Sequence, residues 1–352
     1  MLRAALGRLR PEEGLLVVGF IASAAVTIYA NVDLAQQGIN SRRIQGGLLR
    51  LAIVLLLAAV LPLLERYLLR RQRLRPLPSA KARGSSERAS TGSARPELAE
   101  GRGWGPASTN KEGSRSLAAA EFFRTMLPFL MCIAVYTNLH DTVRYVNPHD
   151  IHQHLAAIEE WMFGGQPVVW AERYITPART EFFNFFYANF YLVAPSVVMV
   201  LWFSAKRVEA RHALLGIILC FYSGYVLYVI FPAAPPRLYF ESLGLFTVTL
   251  RGGPITNFQD ALLQMMPNHA ARAAFPSLHS AVSLLSLHYA WKSCRWFFPI
   301  LLAFVIGLLV STVYLRHHWV VDLIAGALML PWALWITPRF ERFWKTRGQS
   351  AG

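Results

Sequence analysis

The chain has 352 residues, of which 54% are hydrophobic and 13% aromatic, and its mean hydropathy is +0.34. This composition excludes an ordinary soluble globular domain and favours an integral membrane protein. The net charge of +15 does not indicate a nucleic-acid-binding protein, because lysine and arginine lie mainly at the ends of apolar segments and in one polar stretch.

The N-terminal region, residues 1–65, contains two candidate membrane spans. Gly14–Ala30 is an apolar run after a basic start, and we interpret it as a retained span rather than a cleaved signal. Ile44–Leu64 is a weaker candidate because Arg50 interrupts it, and it is either a short span or a re-entrant helix. We therefore expect one or two N-terminal transmembrane helices.

Residues 66–116 differ from both flanks in being rich in Arg, Ser, Gly and Pro. Such a segment has too little apolar surface to offset the entropy of ordering, so we predict a disordered linker. Its positive charge places it on the cytoplasmic side, where it can also contact anionic lipid headgroups.

Residues 117–338 predict an all-α membrane domain of six helices, which we expect to carry catalysis. The six apolar segments are Leu117–Asn138, Phe182–Phe203, Ala213–Phe231, Ser277–Trp291, Trp296–Tyr314 and His318–Thr337. With the linker inside, strict alternation of these helices also places the basic segments 204–212 and 291–295 and the basic tail 339–352 in the cytoplasm. That agreement supports the predicted topology.

The opposite-side loops are residues 140–181 and 232–276 and the turn 315–317, and they are rich in His, Pro and aromatic residues. The first loop has apolar residues at helical spacing before a Gly-Gly break, which predicts an interfacial helix on the bilayer. The aromatic run at 181–192 favours bilayer anchoring over a lipid-binding groove.

The segment Y-L-R-H-H-W-V-V-D separates His318 and Asp322 by four residues, which predicts that they share one face of a helix. Asp322 can then accept a hydrogen bond from one imidazole nitrogen and leave the other free as a nucleophile. Ionisable groups at the edge of a membrane helix are functional candidates, because burying them is costly. For this pair alone, a structural hydrogen bond remains the alternative.

The segment F-P-S-L-H-S-A places Ser277 immediately before an apolar helix, and a helix N-terminus favours bound anions. His279 falls in the first turn, where it can act as general acid and base. The segment F-P-A-A-P-P-R presents Arg237 at the outer end of another span, and a guanidinium suits bidentate phosphate binding. Alternating topology brings the three motifs to one side of the membrane.

These motifs resemble the type 2 phosphatidic acid phosphatase superfamily, whose pattern is K-x6-R-P, then P-S-G-H, then S-R-x5-H-x3-D. The resemblance covers residues 117–337 and implies that His318 forms a phosphohistidine, that Asp322 orients it, and that His279 is the acid and base. It also implies chemistry that needs no metal or cofactor. The isolated histidines at positions 140, 149, 152, 154 and 288 have no assigned role, although the His-rich outer loop leaves a metal site as an alternative.

The chain departs from this pattern in its phosphate-binding positions. Leu278 replaces the glycine of P-S-G-H, Thr312 replaces the arginine after serine, and the first-motif lysine is missing. We expect Arg272 or Arg316 to compensate. These departures resemble the branch containing the fungal inositol phosphorylceramide synthases and their bacterial relatives.

The resemblance therefore implies a lipid phosphotransferase with membrane lipids as donor and acceptor, in a bacterial inner membrane with its active site outside. Phosphoinositol is one candidate for the headgroup. Three alternatives stay open. A lipid phosphate phosphatase uses water as acceptor, a lipid transporter has no covalent intermediate, and a haloperoxidase-like enzyme holds vanadate in place of phosphate.

Overall fold

The computed structural model of the chain describes residues 9–36, 42–73, 111–265 and 272–349. Within these ranges the protein is all α-helical, and its only β interaction is an isolated bridge between Ala233 and Ala273. The helices are α1 (Pro11–Gln36), α2 (Arg42–Arg73), α3 (Lys111–Val146), α4 (His152–Phe163), α5 (Pro167–Trp170), α6 (Pro177–Ala188), α7 (Phe190–Phe203), α8 (Arg207–Ile230), α9 (Pro236–Ser242), α10 (Pro254–Met265), α11 (Leu278–Ser293), α12 (Phe298–Tyr314) and α13 (Val320–Gln349).

The predicted all-α integral membrane fold is confirmed. Among the described helices, α1, α2, α3, α8 and α13 are long and apolar enough to cross a membrane, and α6 with α7 is a sixth candidate if that bent pair forms one span. Helices α11 and α12 are shorter, with 16 and 17 residues. Because α11 packs against α7, α8, α12 and α13, it is surrounded mainly by protein.

The predicted span Phe182–Phe203 is two helices, α6 and α7, which meet at an angle of 46°. Asn189 lies at the break, where its side-chain amide donates to the carbonyl of Phe185 at 2.7 Å. An Asn side chain that competes for a helical carbonyl favours such an interruption. Hydropathy does not detect the bend, since both halves are apolar.

The predicted linker boundaries differ from the structure. Helix α2 continues to Arg73 and α3 begins at Lys111, so both ends of the segment 66–116 are helical. The remainder, residues 74–110, lies outside the described residues. Helix α2 is continuous through Pro62, and no re-entrant turn occurs in its described part.

Residues 56–125 form a compact unit of their own, whose described part comprises the second half of α2 and the first turns of α3. Within it, Arg124 forms an ion pair with Glu65. Residues 1–55 and 126–352 form the other unit, which contains the whole predicted site.

In the larger unit, the starts of α11 and α13 lie at one end of the bundle, and their C-termini lie at the other. At the far end, Lys206, before α8, donates to the carbonyl of Ser293 at 2.6 Å. Trp344 near the end of α13 donates to the carbonyl of Leu9 at 2.8 Å. The basic segments are therefore remote from the predicted site.

Candidate active site

The turn between α12 and α13 carries His317 and His318 inward. Arg316 has a φ of 62°, a left-handed conformation that is uncommon outside glycine. The backbone N–H groups of His317 and His318 both donate to the carbonyl of Thr312, at 2.8 and 3.1 Å. The turn is thus closed by its own backbone, and both imidazoles are nearly buried.

His318 lies two residues before α13, which begins at Val320, so the prediction that His318 and Asp322 share a helical face is wrong in detail. Their side chains nevertheless meet: Nδ1 of His318 is 3.2 Å from Oδ2 of Asp322, which is 0% exposed. The same oxygen accepts the N–H of Trp319 at 3.1 Å. Asp322 therefore binds the imidazole and satisfies an N–H group at the start of the helix.

Helix α11 brings the second histidine to the first. Ser277 caps this helix, with its hydroxyl oxygen accepting from the N–H of Ser280 at 3.3 Å, and its own N–H donates to the carbonyl of Asp322 at 3.0 Å. The resulting contact between the two helix starts places Nδ1 of His279 2.9 Å from Nε2 of His318. Asp322, His318 and His279 form a continuous hydrogen-bonded relay.

A tight approach of α13 to α11 makes this contact possible. A Cβ atom added to Gly326 of α13 would lie 2.2 Å from the carbonyl oxygen of Ser277. Glycine is therefore required there, since any side chain would push apart the two helix starts. The hydroxyl of Ser280 donates across the same seam to the carbonyl of Leu323 at 2.8 Å.

Aromatic rings hold the histidines, a role that the sequence interpretation missed. Tyr187 stacks on His317 with ring centroids 4.0 Å apart and on His279 at 5.1 Å. The ring of Phe190 also contacts His279, with centroids 4.1 Å apart. Burial, with Arg237 as the next cause, lowers the pKa of His317 well below its ordinary value, so this imidazole is neutral at pH 7. The aromatic run at 181–192 is therefore more than a bilayer anchor.

The three predicted phosphate-binding arginines have different surroundings. Arg237 starts α9 and has no carboxylate within ion-pair distance among the described residues, and its buried Nε has no hydrogen-bond partner there. Arg316 donates through Nη2 to Glu172 at 2.7 Å. Arg272 donates through Nε to Asp150, also at 2.7 Å. Of the three, Arg237 is the one without an ion pair in the described part of the chain, although Glu241 and Asp260 line the same cavity.

Two glutamates, Glu172 and Glu181, accept hydrogen bonds from the first turn of α10 and the segment that leads into it, and neither was predicted from the sequence. Glu172 accepts hydrogen bonds from the N–H groups of Thr247 and Val248, in addition to Arg316. Glu181 accepts from the backbone of residues 253, 255 and 256 at 2.7–3.0 Å. Both glutamates lie in regions that read from sequence as interfacial or apolar, so periodicity alone gave no signal.

Two cavities adjoin at Arg237 and Gln259, which line both. The first, about 380 Å³, includes His317 and Arg316, and its lining is about half polar and half apolar. Its polar lining contains Asn184, Thr247, Thr249, Thr256 and Asp260. The second, about 190 Å³, includes His279 and His318. Its aromatic wall contains Tyr136, Tyr187, Phe190, Tyr191, Tyr225 and Tyr228.

This geometry can carry out nucleophilic catalysis on an amphiphilic, anionic substrate. The relay supplies an oriented imidazole and a second imidazole for proton transfer, and Arg237 supplies a cation between a polar and an aromatic cavity. Among the described residues, no group of three or more His, Cys, Asp or Glu side chains is arranged to hold a metal ion.

Residues 153–336 match the family described as the PAP2 superfamily, a segment that contains the relay and all three arginines. The chain belongs to the PAP2 superfamily. Members of this superfamily are generally phosphatases or phosphotransferases, so the chain is a membrane enzyme of that general type. No curated protein and no solved structure matches the chain.

The structure gives local reasons for two departures from the PAP2 superfamily pattern. Leu278, in the glycine position, packs on α8 so closely that a Cβ added to Gly224 would lie 2.5 Å from its Cδ2. Thr312, in the arginine position, is 0% exposed, so its site has no room for an arginine side chain, and its hydroxyl donates to the carbonyl of Leu309 at 2.7 Å. Both side chains are buried in the helix bundle and therefore do not supply the phosphate contact that the family pattern implies.

Proposed function

We propose that this protein is a lipid phosphotransferase that moves a phosphoryl group, or a phosphate with its headgroup, from a lipid donor to an acceptor alcohol through a phosphohistidine at His318. The observation that carries the proposal is the Asp322–His318–His279 relay, which faces a cavity shared with Arg237. The resemblance to the inositol phosphorylceramide synthase branch supports transfer over hydrolysis.

In the first half-reaction, the lone pair of Nε2 of His318 attacks phosphorus and the bond from phosphorus to the leaving oxygen breaks. His279 gives its proton to that oxygen, which departs as an alcohol. Asp322 holds the N–H on Nδ1 and stabilises the positive charge that develops on the ring. In the second half-reaction, His279 takes the proton of the acceptor alcohol, whose oxygen bonds to phosphorus as the P–N bond breaks.

The contact between the two imidazoles must open during this cycle. Nδ1 of His279 lies 2.9 Å from Nε2 of His318, where phosphorus has to bind. Substrate binding therefore displaces His279 toward the leaving oxygen, and the flat faces of Tyr187 and Phe190 allow its ring to slide without losing contact.

The two cavities support a lipid substrate. A phosphate next to Arg237 has hydroxyl, amide and carboxylate side chains on one side and tyrosine and phenylalanine rings on the other. An amphiphile satisfies both environments, with a polar headgroup in the larger cavity and a lipid backbone in the smaller one. Arg316 lines the polar cavity and is a second candidate phosphate ligand, whereas Arg272 lines neither cavity.

We also propose that the site faces the extracytoplasmic side of a bacterial inner membrane. The basic segments around Lys206 and Arg295 and the C-terminal tail lie at the opposite end of the bundle, and basic segments remain on the cytoplasmic side. An impermeant thiol reagent should therefore label a cysteine introduced at the exposed position Leu245 in intact cells, but not one introduced at Val208.

The decisive experiment follows the phosphorus of a labelled phospholipid, with and without a lipid alcohol, using purified wild type and His318→Ala. His288→Ala is a matched control, because His288 is a half-exposed histidine of α11 outside the relay. Transfer of label to the alcohol by wild type and the control, and not by His318→Ala, supports the proposal. Full activity of His318→Ala would refute it.

Hydrolysis is the second candidate function, and the polar lining of the larger cavity favours it because such a surface admits water to Arg237 and His317. In the same assay a phosphatase releases free phosphate or a phosphorylated headgroup at a rate that the added alcohol does not change. A phosphotransferase shows little release until the alcohol is present.

A further inference from the structure

The start of α13 is held by a carboxylate from a different helix. The first N–H groups of any α-helix lack partners within the helix. In α13, Oε1 of Glu159 accepts hydrogen bonds from the N–H groups of Val320 and Val321, the latter at 3.2 Å. Asp322 binds the preceding N–H group, that of Trp319. Three consecutive N–H groups are therefore fixed by two carboxylates.

Glu159 lies on α4, outside the candidate membrane spans, and is 0% exposed. A buried carboxylate is costly, and here it is compensated by two N–H groups at the positive end of a helix. Burial raises the pKa of Glu159 to about 7, against the opposite effect of the hydrogen bonds from Val321 and Val320. An apolar residue would fill this position at a lower cost, so the carboxylate points to a specific role.

That role follows from where the two valines stand in the chain. Val320 and Val321 lie between His318 and Asp322, so fixing their N–H groups fixes the backbone that joins the two relay residues. Trp319 completes the segment, since it is fully buried and its indole N–H donates to the carbonyl of Ala234 at 3.1 Å. No substrate contact is involved, because Glu159 lines neither cavity of the site.

We propose that Glu159 is a positioning residue for the relay: it clamps the start of α13 so that Asp322 can hold His318 against His279. This inference rests on the proposed function only for its effect on catalysis, because the clamp itself is a property of the fold. Glu159 acts through Val320 and Val321, so its loss should slow the chemical step and leave lipid binding nearly unchanged.

The test compares Glu159→Ala, Glu159→Gln and the control Glu160→Ala, since Glu160 is the exposed neighbour on the same helix. Alanine removes the acceptor, and a displacement of about 1 Å at a catalytic group costs about 100-fold in rate. We expect kcat of Glu159→Ala to fall by about that factor with KM within about threefold. Glutamine keeps an amide oxygen for the N–H groups, so Glu159→Gln should retain kcat within about tenfold. Glu160→Ala should match wild type.

Hydrogen–deuterium exchange provides a readout that does not depend on activity. In Glu159→Ala the amides of residues 319–323 should exchange about tenfold faster, as expected for a lost buried hydrogen bond, with smaller changes in Glu159→Gln. Unchanged exchange in Glu159→Ala would overturn the clamp. A rise in KM with unchanged kcat, or equal inactivity of the folded Gln and Ala variants, would overturn the positioning role.

The proposed function can fail separately. If His318→Ala is fully active, the catalytic assignment is wrong, while faster exchange at residues 319–323 in Glu159→Ala still supports the clamp. If Glu159→Ala does not fold, the positioning role is tested with Glu159→Gln alone. A loss of more than about 100-fold in the kcat of this variant would contradict the role, because the amide oxygen of glutamine can still accept the two N–H groups.

Discussion

Replacing Arg237 by alanine removes a guanidinium that borders both cavities and has no ion-pair partner among the described residues. If this group neutralises the transferring phosphate, it acts as one preorganised donor to the transition state. Such a donor contributes about 3–4 kcal/mol, which corresponds to a factor of about 10²–10³ in kcat. Arg237→Lys keeps the charge without the planar fork, so its loss should be smaller.

The matched comparison is with Arg272→Ala and Arg316→Ala. Both side chains are engaged with nearby carboxylates, Asp150 and Glu172, each at 2.7 Å. Removing either arginine leaves a partly buried carboxylate without its partner, and the effect should be larger for the Arg316–Glu172 pair, which is the more buried of the two. We therefore expect these two variants to lower the unfolding temperature in detergent more than Arg237→Ala does. Arg272→Ala should retain a larger fraction of the wild-type kcat than Arg237→Ala does.

The assay is transfer of labelled phosphorus to a lipid alcohol at saturating donor, with thermal unfolding measured on the same preparations. Arg237→Ala at a kcat within about threefold of wild type would refute the assignment, because the loss would then be far below that of a transition-state donor. A loss in Arg316→Ala as large as that in Arg237→Ala, at wild-type unfolding temperature, would identify Arg316 as a second phosphate ligand.

Four further predictions concern residues that pack near the relay and the exposed face of α4. Gly224→Ala should lower kcat, because its Cβ would displace Leu278 beside the second histidine, and steady-state kinetics of the folded variant checks this. Tyr187→Ala should lower kcat and Tyr187→Phe should retain it if the stacked ring, and not the hydroxyl, holds the imidazoles. As the pH rises from 4.5 to 7, the unfolding temperature should fall less in Glu159→Gln than in wild type. The folded-state pKa of Glu159 is raised from 4.5 to about 7, so the folded protein loses stability relative to the unfolded chain as the pH rises through this window. Trp161, which is 84% exposed on α4, should lie in the bilayer interface, so Trp161→Phe should reduce the quenching of tryptophan fluorescence by brominated lipids if the predicted interfacial helix is correct.

The convergence of the motifs could be predicted from sequence because it follows from counting spans. Alternating helices put Arg237, His279 and His318 on one side of the membrane, and in the structure all three line one cavity. The pairing of His318 with Asp322 was also predictable, although from the wrong geometry. Four residues separate them both in a helix and in this turn that leads into one, so the spacing does not distinguish the two.

The roles of Glu159 and Tyr187 could not be predicted from the sequence pattern. Hydrophobic periodicity indicates the average polarity of a helix face, but it does not indicate which residues of other helices pack against that face. In α4 the apolar residues Ile158 and Met162 are exposed, while Leu155 and Glu159 face the protein. A clue was present: Glu159 lies four residues after Leu155, within the apolar stripe and not opposite it. Tyr187 was hidden in the same manner by an aromatic run typical of bilayer anchors.

The N-termini of α11 and α13 meet at the site, but different side chains accept hydrogen bonds from their first N–H groups. A neutral residue, Ser277, caps α11, so the positive end of that helix remains available to an anionic phosphate. Two carboxylates, Asp322 and Glu159, occupy the start of α13. In the proposed mechanism the start of α13 positions Asp322 beside His318, while the start of α11 and Arg237 bind the substrate phosphate.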